Sequence, residues 1–157
     1  MKQSPRLLII KSFVFILFSA IICLFVYNMT YRQEPGLDKL ATDFKAANRA
    51  DNIDSMLELY CLDDIDKFSL VRLKDALKYE LGLPIKQIEF EPLSGAPEET
   101  IEFFHNGIAY GPTLRPRYKM RVTYEDQGRF ESLFTIGKNT SGDWKIITAK
   151  PLPTPHF

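Results

Sequence analysis

The chain has 157 residues, and its 20 Lys and Arg balance 20 Asp and Glu, so it is formally neutral at pH 7. Neutrality argues against a nucleic-acid binder held by a whole-chain positive field, and two cysteines are too few for a disulfide scaffold or a four-Cys zinc site. The balance is uneven, however: Lys2, Arg6 and Lys11 lie in residues 1–27 with no acid, which leaves residues 28–157 with 17 bases against 20 acids, a net of −3.

Leu7 to Tyr27 is an apolar run of 21 residues broken only by Lys11. As a helix it spans about 30 Å at roughly 1.5 Å per residue, the thickness of a hydrocarbon core. Lys11 lies near one end, where its stem can carry the ammonium to the headgroups. A cleaved signal peptide would need a small-x-small site, and Phe18-Ser19-Ala20 and Ala20-Ile21-Ile22 each fail at one position. A lipoprotein-type Cys23 would need a small residue where Ile22 stands. The expectation is an uncleaved anchor: a stub at 1–6, a transmembrane helix at 7–27 in contact with membrane lipid, and a linker at 28–36. Basic residues before the span and mixed charge after it place the amino terminus inside and the remainder in the periplasm or exterior. Cys61 is the one cysteine of that outer part, so no disulfide can form within it.

Leu37, Leu40, Ala41, Phe44 and Ala47 recur at helical spacing and predict a first helix with one apolar stripe. Asp51 reads as the N-cap of a short second helix with Ile53, Met56, Leu57 and Tyr60 inward. A third helix follows Asp66 and carries Val71, Leu73, Leu77 and Leu81 before Gly82 and Pro84 close it. The period then changes to two. Ile88 and Phe90 alternate with Glu89 and Glu91, and Asn106-Gly107 predicts a two-residue hairpin turn between Thr100–His105 and Ile108–Tyr110. Arg117 to Glu125 is the clearest strand, and Arg129 to Ile136 returns after the Asp126-Gln127-Gly128 turn. Pairing Tyr124 with Phe130, Val122 with Ser132, Met120 with Phe134 and Tyr118 with Ile136 puts most apolar residues of both strands on one face; a one-residue slip would destroy that agreement. Trp144, Ile146 and Thr148 extend the same face on a last strand. Helices first and an antiparallel meander afterwards make an α+β domain with helices packed on a curved sheet.

The stretch FKAANRADNIDSMLELY (Phe44 to Tyr60) resembles the opening helices of the nuclear-transport-factor-2-like superfamily, and Gly142-Asp143-Trp144-Lys145-Ile146 is similar to the last strand of many members. The resemblance covers residues 37–151 and implies a cone-shaped α+β domain, with 152–157 as a proline-rich tail. The Asp63 to Leu81 helix departs from members that begin a strand sooner. One span followed by such a domain is also similar in architecture to bitopic assembly components of type IV secretion machines. The resemblance admits small hydrolases and isomerases, ligand-binding modules and non-catalytic assembly domains. The expectation for this chain is a non-catalytic binding or assembly role, with a homodimer or a membrane-complex protein as partner; the alternative is a small-ligand binder, hydrolase or isomerase that uses the cavity of the cone.

Candidate functional residues are few. His105 is the one titratable group suited to acid–base work outside the tail, and Glu102 and Asp143 are the partners it would need. Inward-facing Tyr118, Tyr124, Phe130, Phe134 and Trp144 are the candidates to line a cavity. Asp63, Asp64 and Asp66 lack the glycine and distal Glu of a calcium loop and are expected to cap a helix, so no metal or other cofactor is expected. Arg115, Arg117, Lys119 and Arg121 alternate on the opposite strand face. With Leu133 and Ile147 they suggest a sheet-mediated contact that mixes bases and branched aliphatics. No nucleic-acid partner is expected for an outer domain of net negative charge.

Overall fold

The structure is a computed structural model, and it describes residues 34–125 and 130–153. Among these residues no helix is long and apolar enough to cross a membrane. The expected span at 7–27, the stub at 1–6 and the end of the tail, 154–157, lie outside the described residues.

Helix α1 (Leu37–Arg49) starts at Gly36, whose left-handed backbone (φ 95°) brings it under the Trp144 ring. A Cβ at Gly36 would lie 3.0 Å from Trp144 Cδ1, so the chain start and the last part of the sheet meet through the absence of a side chain. Leu37, Leu40, Phe44 and Ala47 are buried, one stripe of the helix. Helix α2 (Ile53–Leu57) is capped by Asn52, not by Asp51 as expected: Asn52 Oδ1 accepts from the backbone N–H groups of Asp54 and Ser55, each at 3.0 Å. Asp51 adopts φ 50° in the turn from α1, a conformation Asp tolerates and the cap position does not use. Helix α3 (Lys67–Glu80) is capped by Asp66, which accepts from Ser69 N–H at 2.6 Å. Gly82 ends it with φ 79°, and buried Asn48 of α1 clasps that end: its carbonyl accepts from Gly82 N–H, and its amide donates to the Glu80 carbonyl.

Seven strands follow: β1 (Ile85–Pro92), β2 (Phe103–His105), β3 (Ile108–Pro112), β4 (Tyr118–Tyr124), β5 (Glu131–Lys138), β6 (Trp144–Ile146) and β7 (Ala149–Pro151). They form two antiparallel sheets, one in the order β1-β4-β5-β6 and one in the order β2-β3-β7. The β4–β5 register pairs Tyr118 with Ile136, Met120 with Phe134 and Val122 with Ser132, as the apolar pattern requires. Tyr124 N–H donates to Phe130 O at 3.2 Å, and the two rings stack at 5.2 Å. Asn106 and Gly107 both have positive φ, 50° and 78°, the geometry of a type I′ hairpin turn between β2 and β3.

The expected last strand, Trp144 through Thr148 in one continuous sheet, divides in two. Ile147 N–H still donates to Thr135 O of β5 at 2.8 Å, and after it the chain crosses to β3. Thr148 fixes the crossing: its hydroxyl donates to Cys61 O at 2.5 Å, its N–H donates to Thr113 Oγ1 at 3.1 Å, and its carbonyl accepts from Thr113 N–H at 2.9 Å. The core lies between α1, α2, the Leu77 side of α3 and the inner face of the first sheet, with Phe44, Met56, Met120, Val122, Tyr124, Ile136 and Ile146 essentially inaccessible to solvent.

Candidate functional site

Helix α3 covers the first sheet less tightly than α1 does, because Leu77 is its one buried residue. Both its ends are nonetheless tethered. At the amino end Tyr110 of β3 donates its hydroxyl to Asp66 Oδ2 at 2.6 Å, and the Phe68 ring stacks on His105 at 4.6 Å. Tyr110 foremost, then Ser69 N–H, holds the Asp66 carboxyl below the usual carboxylate range, and the same bond raises the Tyr110 phenol. At the carboxyl end the Glu80 carboxylate accepts from Ser132 Oγ at 2.8 Å and from the Tyr124 hydroxyl at 3.2 Å. A helix held at its tips and thinly packed between them leaves space beneath it.

That space is an open groove of about 660 Å³ between α3, the segment of β5 around Leu133–Thr135, and the chain from Ile146 to Ala149, with Ile101 and Phe103 at one side. Its size lies within the range of small-molecule sites. The walls are chiefly apolar: Leu73, Leu77, Leu133, Phe134, Ile146 and Ile147. Among the polar groups on its lining are Tyr60, Ser69, Arg72 and Glu80. Phe68, Phe103 and Leu133 are exposed at its lips, Leu133 by 56%. Arg72 lies over the Phe68 ring, 5.6 Å from the centroid, where guanidinium and ring attract each other. Tyr60 packs edge-on against Phe134, and its phenol oxygen is fully buried without a hydrogen-bond partner. Burial foremost, then the Glu80 charge, pushes the Tyr60 phenol far above its ordinary pKa; the same two causes in the same order raise Tyr124.

The expected cavity residues fall differently. Phe134 lines the groove. Tyr124 is buried behind it and acts through its bond to Glu80. Tyr118 and Trp144 lie at another part of the sheet, ring against ring at 5.3 Å, with Trp144 Nε1 donating to Pro35 O at 3.1 Å and Lys138 Nζ over its ring. Tyr124 and Trp144 are core and Tyr118 is half-buried against it, because strand parity places a side chain on the inner face without saying whether a helix fills the space above it. Tyr60, Arg72 and Glu80 were not expected. They sit at helical positions or beyond a helix end, and only the tertiary stand-off of α3 brings them together.

The His105 ring stacks on Phe68, and among the described residues neither Glu102 nor Asp143 hydrogen-bonds to it. The aspartates also separate: Asp66 caps α3, Asp64 pairs with Lys150 at 2.9 Å, and Asp63 accepts from Cys61 Sγ at 3.5 Å. No group of metal-ligating side chains occurs among the described residues.

Of the expected sheet contact, Arg117 and Leu133 are exposed and Lys119 is half-buried. Arg121 is engaged by carboxylates of both neighbouring strands, Glu131 at 3.0 Å and Glu91 at 3.5 Å. Ile147 lies on the outer face by strand parity, opposite inner Ile146, but it is not free there. It is 6% exposed, and its Cδ1 would lie 3.2 Å from a Cβ at Gly137. Leu114 and Gly137 flank it, so its outer position is covered. No protein-family model matches this chain, and no curated protein matches it.

Proposed function

We propose that the chain is a membrane-anchored, extracytoplasmic, non-catalytic binding domain that takes a small ligand in the groove beneath α3. The supporting observation is the groove itself: an open space of about 660 Å³ with apolar walls and a few polar groups on its lining. A closed apolar interior would have favoured pure assembly. The cone-shaped nuclear-transport-factor-2-like identity, the anchor at residues 7–27 and the outward-facing domain belong to the same proposal, supported by the sequence patterns that suggest them. A hydrolase is disfavoured because the serine hydroxyl that a carboxylate holds there, Ser132 on Glu80, is itself buried and outside the groove lining. Assembly through the outer sheet face is weakened, since Arg121 already has two carboxylate partners and Ile147 is buried.

The test uses the full chain in lipid nanodiscs with labelled methyl groups and indole as an apolar probe. Saturable shifts are expected at Leu73, Leu77, Leu133 and Ile147, with Leu40 and Val122 unmoved. Ala76→Trp, at an exposed position on the groove lining, fills the space and abolishes the shifts while the core resonances persist. Unsaturable or uniformly scattered shifts contradict the proposal.

A further inference from the structure

The chemistry at the Glu80 end of the groove selects among ligands. Glu80 is the last residue of α3, and the carboxyl end of a helix carries partial negative charge that favours cations and disfavours a carboxylate. Its oxygens accept only from neutral hydroxyls, Ser132 and Tyr124, and among the described residues it has no cationic partner. A half-buried carboxylate in such a place is costly unless an opposite charge joins it. Aromatic rings stand close by. Phe134 and Tyr60 meet edge to face at 6.4 Å, both line the groove, and Tyr124 bonds to Glu80. The face of an aromatic ring attracts a cation. The orphan phenol oxygen of Tyr60 adds an acceptor, which an ammonium N–H can satisfy. Arg72 lies two turns nearer the amino end of α3, about 12 Å along the axis at roughly 1.5 Å per residue, away from Glu80.

We infer that the groove takes an amphiphile with an apolar body and a cationic amine, with the amine directed to Glu80 and Tyr60. This rests on the binding function proposed above and adds the class of ligand. An alcohol could replace the hydrogen bonds but not the charge. A carboxylate would meet Glu80 and the helix end with the same sign.

Three probes of one shape test it: 4-phenylbutylamine, 4-phenylbutan-1-ol and 4-phenylbutyrate, titrated against the full chain in zwitterionic nanodiscs and followed at the chain's own methyl and tyrosine resonances. The amine is expected to bind about tenfold or more tighter than the alcohol, as a charge-assisted pair should, with the carboxylate weakest. Glu80→Gln keeps the shape and an acceptor oxygen and is expected to erase the amine's advantage. Tyr60→Phe leaves the charge in place and weakens the amine a few-fold, about the worth of one hydrogen bond. Alcohol or carboxylate binding as tightly as the amine, or an amine preference that survives Glu80→Gln, overturns the inference while the groove remains a binding site. Failure of all three probes to bind removes both.

Discussion

A phenol oxygen with no partner is an expensive thing to bury, and Tyr60 carries one in the wall of the groove. Removing only that oxygen relieves the cost, so Tyr60→Phe should raise the free energy of unfolding by about 1 kcal/mol in chemical denaturation while it weakens ligand binding. A destabilised variant would mean that the hydroxyl is satisfied in the folded chain. Tyr60 and Tyr124 also set an alkaline limit. Both phenols are raised by burial, and a raised folded value contributes stability that is complete below the unfolded tyrosine value near pH 10 and declines above it. Asp66 works at the other end of the scale. Its carboxyl is lowered by Tyr110 and Ser69, so its contribution is present above the usual Asp value, about 4, and is lost as pH falls through the folded value. Asp66→Asn should therefore lose less stability between pH 4 and pH 2 than the parent chain, measured by urea midpoints at each pH.

At the scale of elements, the register of β4 against β5 carries the inner face of the sheet, and its centre is the Met120–Phe134 pair. Met120→Ala should cost about 2–5 kcal/mol, whereas Val71→Ala on the exposed side of α3 should stay within about 0.5 kcal/mol. Gly137 is constrained from outside the sheet: a Cβ there would lie 2.5 Å from the Arg115 carbonyl oxygen, backbone that a rotamer change cannot move. Gly137→Ala should destabilise by about 1–3 kcal/mol, read as a shifted denaturation midpoint. These elements also show what local pattern can and cannot convey. Tyr118, Met120, Val122 and Tyr124 alternate so regularly that only one register with β5 keeps them inside, and the first and third helices are equally plain from spacing and stops. Period two does not name the partner of a strand. The pairing of β1 with β4 and the passage of β7 to β3 were therefore hidden, and with them the burial of Ile147. The groove was hidden for a related reason: spacing marked Leu73 and Leu77 of α3 as inward, but it also counted Val71, which is 49% exposed, and it does not show how far α3 stands from the sheet.

For the whole molecule, the overall charge balance separates into a basic stretch before the expected anchor and a mildly acidic outer part. An intact chain should resist alkaline carbonate extraction from membranes, and removal of residues 7–27 should release it; a mature chain that begins near residue 28 would contradict the anchor. The folded domain ties its beginning to its last part through Gly36, Pro35 and Trp144, while α3 is tied at its tips through Asp66 and Glu80. Tethered ends with a thinly packed middle are what the proposed binding groove rests on. The most direct measurement of that claim is the set of intermolecular nuclear Overhauser contacts between bound 4-phenylbutylamine and the full chain in nanodiscs. The phenyl protons should contact Leu73, Leu133 and Ile147, and the methylene next to nitrogen should contact the Tyr60 and Phe134 rings. Contacts confined to the outer residues Arg117 and Lys119, or to lipid alone, would contradict it.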